Sequence, residues 1–235
     1  MTQTKLNVDP DEVAKFESLA AGWWDPQGQS KPLHDLNPIR LSYINQRHPL
    51  VNQQVIDIGC GGGILSEGLA QQGATVTAID MAEQALNIAR LHALDAGLDI
   101  DYRHSTAETM AAQQAQQFDV VTCLEMLEHV PDPAAIIQAC ADLVKPGGSV
   151  FFSTLNRHPK AYLVAVLGAE YVMKMLPKGT HDYQRFIRPS ELAAWARQAG
   201  LSVEDITGMQ YHVLTQKFHL GRDVKVNYLM HCRKY

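Results

Sequence analysis

Between Gln54 and Thr154, short apolar runs of strand length alternate with segments whose apolar residues recur at helical spacing. Val55, Ile56 and Ile58 read as a buried strand that ends in a cluster of glycines, Gly59, Gly61, Gly62 and Gly63. Ile64, Leu65, Leu69 and Ala70 then predict an amphipathic helix closed by Gly73, and residues 74–79 a second strand ending at Asp80. That is one βαβ unit. A helix over Ala82 to Asp95 stops at Gly97, Ile100 to His104 is a weaker strand, and Phe118 to Leu124 is a strong buried one. Asp132-Pro133 starts the next helix, Lys145-Pro146-Gly147-Gly148 ends it, and Ser149 to Thr154 is the fifth strand. Five strands alternating with helices predict a doubly wound α/β fold with a mostly parallel sheet.

Outside this core the pattern changes. Asp9-Pro10-Asp11-Glu12 opens a helix with Val13, Phe16, Leu19 and Ala20 at helical spacing, ending near Gly22. The tandem Trp23-Trp24 breaks regular structure and either packs that helix down or covers a pocket. Asn37-Pro38 predicts a second helix, with Asn37 as N-cap. After the fifth strand, residues 156–188 read as a helical insertion, and Arg188-Pro189-Ser190-Glu191 starts a helix ending at Gly200. Leu201 to Ile206 and Val224 to Cys232 are two late strands, the second alternating in a way that suits an antiparallel strand closing one edge. The whole reads as one domain over 1–235, with N-terminal helices over 1–50.

A net charge of -5 gives no general attraction to polyanions and weighs against a nucleic-acid partner. No two of the four cysteines have C-x-x-C spacing, which suits a reducing compartment better than a disulfide framework. The first residues lack a signal-peptide plan, and the apolar stretch from Ala161 to Leu176 is broken by Glu170 and Lys174 and is shorter than the ~20 residues that cross a bilayer. A soluble, cytoplasmic protein is expected.

The chemistry concentrates at the strand ends. Asp57-x-Gly59-x-Gly61-x-Gly63 departs from the dinucleotide fingerprint G-x-G-x-x-G, because Ile64 or Ser66 falls where its third glycine would be. An acid inside the first strand repels phosphate but suits a cationic amino-acid group. Asp80, 23 residues after Asp57 and at the tip of the second strand, is placed to accept hydrogen bonds from ribose hydroxyls. The plainer alternative is a tight turn, with Asp80 capping the following helix.

These residues, with Phe118-Asp119-Val120-Val121 and Leu143-Val144-Lys145-Pro146-Gly147-Gly148, resemble the signature of class I S-adenosylmethionine-dependent methyltransferases, which have a Rossmann-like fold. The blocks Lys15-Phe16-Glu17, Trp23-Trp24-Asp25, Lys31-Pro32-Leu33-His34, Asn37-Pro38-x-Arg40, residues 125–130 and residues 178–182 narrow the resemblance to the ubiquinone-biosynthesis O-methyltransferases, over nearly the whole chain. The resemblance implies S-adenosylmethionine held by Arg40, Gly59, Gly61, Asp80, Met81 and Leu124, and methylation of phenolic hydroxyls on a polyprenylated quinol. From the residues alone, Arg40 would be read as a surface ion-pair partner.

Glu125, Glu128 and His129 follow the fourth strand, where ligands of such sheets bind, and their spacing puts all three on one side of a helical turn. They are the candidate catalytic residues. Either they hold a divalent cation such as Mg2+ that acidifies a catechol hydroxyl, or Glu128 or His129 takes the phenolic proton directly; a third reading has His129 only fixing the turn. The apolar insertion is a core or lid helix, or else a lid on an anionic bilayer surface with Lys160, Lys174, Lys178 and Arg185 meeting headgroups, a peripheral association that a membrane-borne substrate would favour. A complex with other enzymes of the pathway also fits the resemblance. Two competing readings remain: a methyltransferase with a different acceptor, and a non-catalytic cofactor sensor.

Overall fold

A computed structural model of the chain describes residues 6–162, 182–212, 215 and 217–235. Its centre is an eight-stranded sheet of order β3-β2-β1-β4-β5-β8-β6-β7. The strands are β1 (Gln54–Ile58), β2 (Thr75–Asp80), β3 (Ile100–His104), β4 (Phe118–Leu124), β5 (Val144–Leu155), β6 (Leu201–His212), β7 (Lys217–Gly221) and β8 (Asn227–Lys234). β1 to β5 pair in parallel, and β8, β6 and β7 continue the sheet antiparallel. Order reverses at β1, where β2 lies on one side and β4 on the other, and a crevice opens beyond the carboxyl ends of such strands.

The helices are α1 (Pro10–Leu19), α2 (Lys31–Arg47), α3 (Ile64–Gln71), α4 (Glu83–Asp95), α5 (Ala107–Gln113), α6 (Pro133–Leu143), the single turn α7 (Pro159–Ala161) and α8 (Pro189–Gln198). One face of the sheet packs on α6 and α8 through Ile136, Ile137, Leu192 and Ala196 with Ile58, Val121 and Phe152. The other packs on α2, α3 and α4 through Tyr43, Ile44, Leu69 and Leu86 with Val55, Val76 and Val120. Strands covered on both faces read as continuous apolar runs, which is why β1 and β4 stand out in the sequence.

Several elements differ from expectation. α2 begins six residues before Asn37, at Lys31 with Pro32 in its first turn, and carries Pro38 inside it. Asn37 does not cap: its side-chain amide donates to the carbonyl of Ile64 at 2.9 Å and ties α2 to α3. β5 starts at Val144, and residues 145–148 bulge out between the pairs Phe118 with Val144 and Val120 with Ser149. α5 and β7 are short elements that the sequence reading does not assign. β8 is antiparallel as expected but lies inside the sheet, between β5 and β6, so Tyr228 to Cys232 are buried on both faces and the outermost strand is β7. Of the insertion, residues 163–181 lie outside the described residues, so the lid assigned to Ala161 to Leu176 is described only at its start.

Candidate active site

The turn after β1 is built by its glycines. Gly59, Gly61 and Gly63 adopt φ of 74°, 52° and 88°, a region costly for residues with a Cβ. At Gly61 a Cβ would stand 2.3 Å from Cζ2 of Trp23, so the indole lies directly on the turn. Trp24 donates its ring N–H to the carbonyl of Gly62 at 2.9 Å. The Trp pair therefore packs the N-terminal segment down, and Trp23 also lines the cavity.

Asp57, 2% exposed, accepts from Ser66 at 2.7 Å and Thr122 at 2.8 Å, while burial pushes its carboxyl up to about 6. Asp80 accepts the N–H of Gly61 through one oxygen and of Ala82 through the other, both at 2.8 Å. It thus holds the glycine turn and the residue that precedes α4, whose N-cap, Ala82, carries no side-chain cap. A carboxylate has about four acceptor sites, so the two left can take a diol. Burial raises the Asp80 pKa.

Arg40 reaches this region from α2, which is anchored on either side of it. Asn37 bonds α3, while Tyr43 and Arg47 each bond Asp205 on β6 at 2.7 Å. Arg40 is 5% exposed, donates through Nη2 to Glu125 at 2.8 Å, and has no partner for its buried Nε. It is not the surface ion-pair residue that its position in the sequence suggests.

Glu125 sits just past β4 with φ 54°, a strained conformation that its contacts hold in place. It also accepts from Ser153 at 2.6 Å and from the Asn227 amide at 3.2 Å. Glu128, 4% exposed, accepts from Thr154 at 2.8 Å; burial and then the Glu125 charge push its carboxyl up to about 7. His129 pairs through Nδ1 with Glu12 on α1 at 2.8 Å and lies edge-on to Phe16. That contact holds Glu12 down to about 2.

All nine predicted site residues (Arg40, Gly59, Gly61, Asp80, Met81, Leu124, Glu125, Glu128 and His129) line one cavity of about 760 Å³. Its size is that of an ordinary ligand site. The expected metal set does not assemble. Glu125, Glu128 and His129 turn to Arg40, Thr154 and Glu12 respectively, and among the described residues no three His, Cys, Asp or Glu side chains are grouped to hold an ion. Helical spacing put them on one side of a turn, but residues 127–129 form a 3-10 turn and Glu125 precedes it in a left-handed conformation.

Sequence reasoning missed three contributors. Glu12 looked like an ordinary acid of a helix first turn. Asn7 closes the N-terminal segment onto the rim by bonding Glu108 at 3.0 Å and both backbone groups of Asp132 at 2.8 Å. Asn227 enters only because β8 is an inner strand. None of the three has a local signal.

Comparison with known proteins settles the family. The pattern described as "Methyltransferase domain" matches residues 20–206. The ubiquinone biosynthesis O-methyltransferase of Saccharophagus degradans is 61% identical over 235 residues, covering 100% of both chains. This chain belongs to the ubiquinone biosynthesis O-methyltransferases. The Pseudomonas aeruginosa member is 60% identical over 228 residues, covering 97% of this chain and 98% of its own. Among solved structures, the magnesium protoporphyrin IX methyltransferase from Synechocystis, with bound S-adenosylmethionine, superposes with TM-score 0.63 at 18% identity over 100% of both chains. That likeness bears on the fold: the doubly wound sheet expected from the strand pattern is the Rossmann-like methyltransferase fold that the resemblance implied.

Proposed function

We propose that this family member transfers the methyl group of S-adenosylmethionine to a phenolic oxygen of a polyprenylated catechol or demethylubiquinol. The observation that carries the reading is the single cavity joining the glycine turn and Asp80 to Glu125, Glu128 and His129. S-adenosylmethionine supplies an electrophilic methyl group on a sulfonium. The residues of the chain do the rest.

Asp80 accepts the ribose hydroxyls with its two remaining sites, and the bare backbone at Gly59 and Gly61 lets the cofactor approach. Met81 and Leu124 flank it. The Arg40 guanidinium meets the cofactor's carboxylate, and Asp57, at the base of the turn, favours its ammonium. Methyl transfer needs the two reactants aligned in line and the phenolic proton removed. Glu128 and His129 both line the wall, and either can receive that proton. For a His129 held through Nδ1–H by the Glu12 carboxylate, Nε2 is the free acceptor. No step is assigned to a cation, because the three side chains do not form a ligand set.

The bilayer association stays a proposal with narrower support. Of the four basic residues expected at headgroups, Lys174 and Lys178 lie outside the described residues. Lys160 is paired with Asp223 at 2.6 Å and Arg185 with Asp9 at 3.0 Å. Flotation with liposomes, with and without anionic lipid, tests it; full recovery in the soluble fraction in both would overturn it.

The activity test is turnover of a short-tailed demethylated quinol with S-adenosylmethionine, read as the methylated product by mass. Product from the reduced quinol and none from the oxidised quinone supports a phenolic acceptor. No product from either overturns it. A chelator arm, with the metal added back, reports on the cation separately.

A further inference from the structure

β6 is longer than its partner. Met209 is its last residue paired with β8, opposite Asn227, and Gln210 to His212 run on past the carboxyl edge of the sheet, paired only with β7. The β6–β7 hairpin therefore overhangs the rim of the active-site cavity. Its two faces differ sharply. Met209 stands opposite Leu220, and Tyr211 opposite Phe218, so cross-strand pairing and the two-residue strand period put all four apolar side chains on one face. Gln210 with His219 and His212 with Lys217 make the other face polar.

Three of the four apolar residues, Met209, Tyr211 and Phe218, line the cavity, joined at its wall by Gln210 from the polar face. Leu33 and Leu36 of α2 line the same cavity. Met209 is fully packed at 3% exposure, but Tyr211, Phe218 and Leu220 are only half-buried, though Tyr211 and Phe218 lie 4.9 Å apart between ring centroids. Phe218 and Leu220 pack in part against the core cluster that includes Leu36 and Met209, and Tyr211 and Phe218 also face the cavity.

We propose that the apolar tail of the acceptor leaves the active site along this wall, between α2 and the β6–β7 hairpin. Tyr211 and Phe218 then read the tail, while Asp80 and the Glu125 to His129 segment deal with the cofactor and ring. The occupant is a linear polyprenyl chain attached to the methyl acceptor. This rests on the proposed function above and adds where the substrate's length is sensed.

The test compares two acceptors, a demethylated quinol with no prenyl group and one with three prenyl units, on wild type, Tyr211→Gln, Phe218→Gln and the outward-facing control His219→Ala. For both glutamine variants the ratio of kcat/KM, prenylated over unprenylated, is expected to fall about tenfold, carried by KM, since roughly 1.4 kcal/mol of apolar contact is a factor of ten. His219→Ala leaves that ratio at the wild-type value. An unchanged ratio in the glutamine variants, or a loss shared equally by both acceptors, overturns the proposal and makes the face simple packing. If wild type turns over neither acceptor, the proposed function fails instead, so the two failures are distinguishable.

Discussion

Arg40 and Glu125 are 85 residues apart in the chain, and their side chains meet at 2.8 Å between α2 and the end of β4. The pair joins α2 to the segment that follows β4, and both residues line the cavity. Its two ends are unequal, because the Arg40 side chain is 6% exposed and that of Glu125 20%. Removing the acid leaves a buried guanidinium without its hydrogen-bonded carboxylate, whereas removing the guanidinium leaves Glu125 with Ser153 and Asn227 as donors. Glu125→Gln is therefore expected to cost about 3 kcal/mol of stability, at the low end for breaking a buried pair, and Arg40→Met less. For cofactor affinity the order reverses. Urea unfolding and calorimetry on both variants check this, and equal stability losses would contradict it.

Gly61 and Trp23 form a second dependent pair. Gly61→Ala puts a Cβ at a φ of 52° and against a rigid indole, not against the end of a flexible chain. Backbone strain and overpacking together are expected to cost on the order of 2–4 kcal/mol. In a Trp23→Ala background the steric part vanishes, so Gly61→Ala costs less there. A double-mutant cycle in urea measures the difference, and strict additivity would mean that the ring moves aside freely.

Asp80→Asn tests the carboxylate at the tip of β2. Each oxygen takes a backbone N–H, from Gly61 and from Ala82. An amide offers one oxygen, and its nitrogen would face the other N–H, donor to donor. The variant is expected to lose about 1–3 kcal/mol of stability and a similar amount of cofactor binding, the cost of hydrogen bonds left unmade. Calorimetric titration with S-adenosylhomocysteine reads the second quantity; unchanged affinity would remove Asp80 from the cofactor site.

The sequence made the fold legible where burial is two-sided and punctuation is strong. β1, β2 and β4 are apolar runs bounded by glycine or an acid, and every cofactor residue expected from them lines the cavity. Legibility failed where tertiary contacts overrule local rules. Asn37-Pro38 has the form of a helix start, yet α2 is nucleated earlier at Lys31-Pro32 and runs through Pro38. The Glu125, Glu128 and His129 spacing suggested convergence, yet a left-handed residue and partners 85 and 117 positions away turn Glu125 and His129 in separate directions. Such partners leave no local trace, which is why Glu12 and Asn227 could be found only in the folded chain.

Glu128 gives the site a pH signature. Its carboxyl is buried beside Glu125 and pushed up to about 7, against 4.5 for an ordinary glutamate. The folded chain therefore holds this proton more tightly than the unfolded chain does. The favourable contribution is whole below about 4.5, shrinks as pH rises between the two values, and is gone above about 7. Glu128→Gln keeps a neutral, similarly shaped side chain at every pH. Its stability relative to wild type should be flat in acid, rise in the variant's favour from pH 5 upward, and level off above pH 7 with a gain of at most about 3 kcal/mol. Asp57, pushed up to about 6 by burial, bends the pH profile the same way, but it is present in both proteins and cancels in the difference. Paired urea titrations from pH 5 to 8 make the measurement; parallel curves would mean that Glu128 is ionised and satisfied in the folded state throughout.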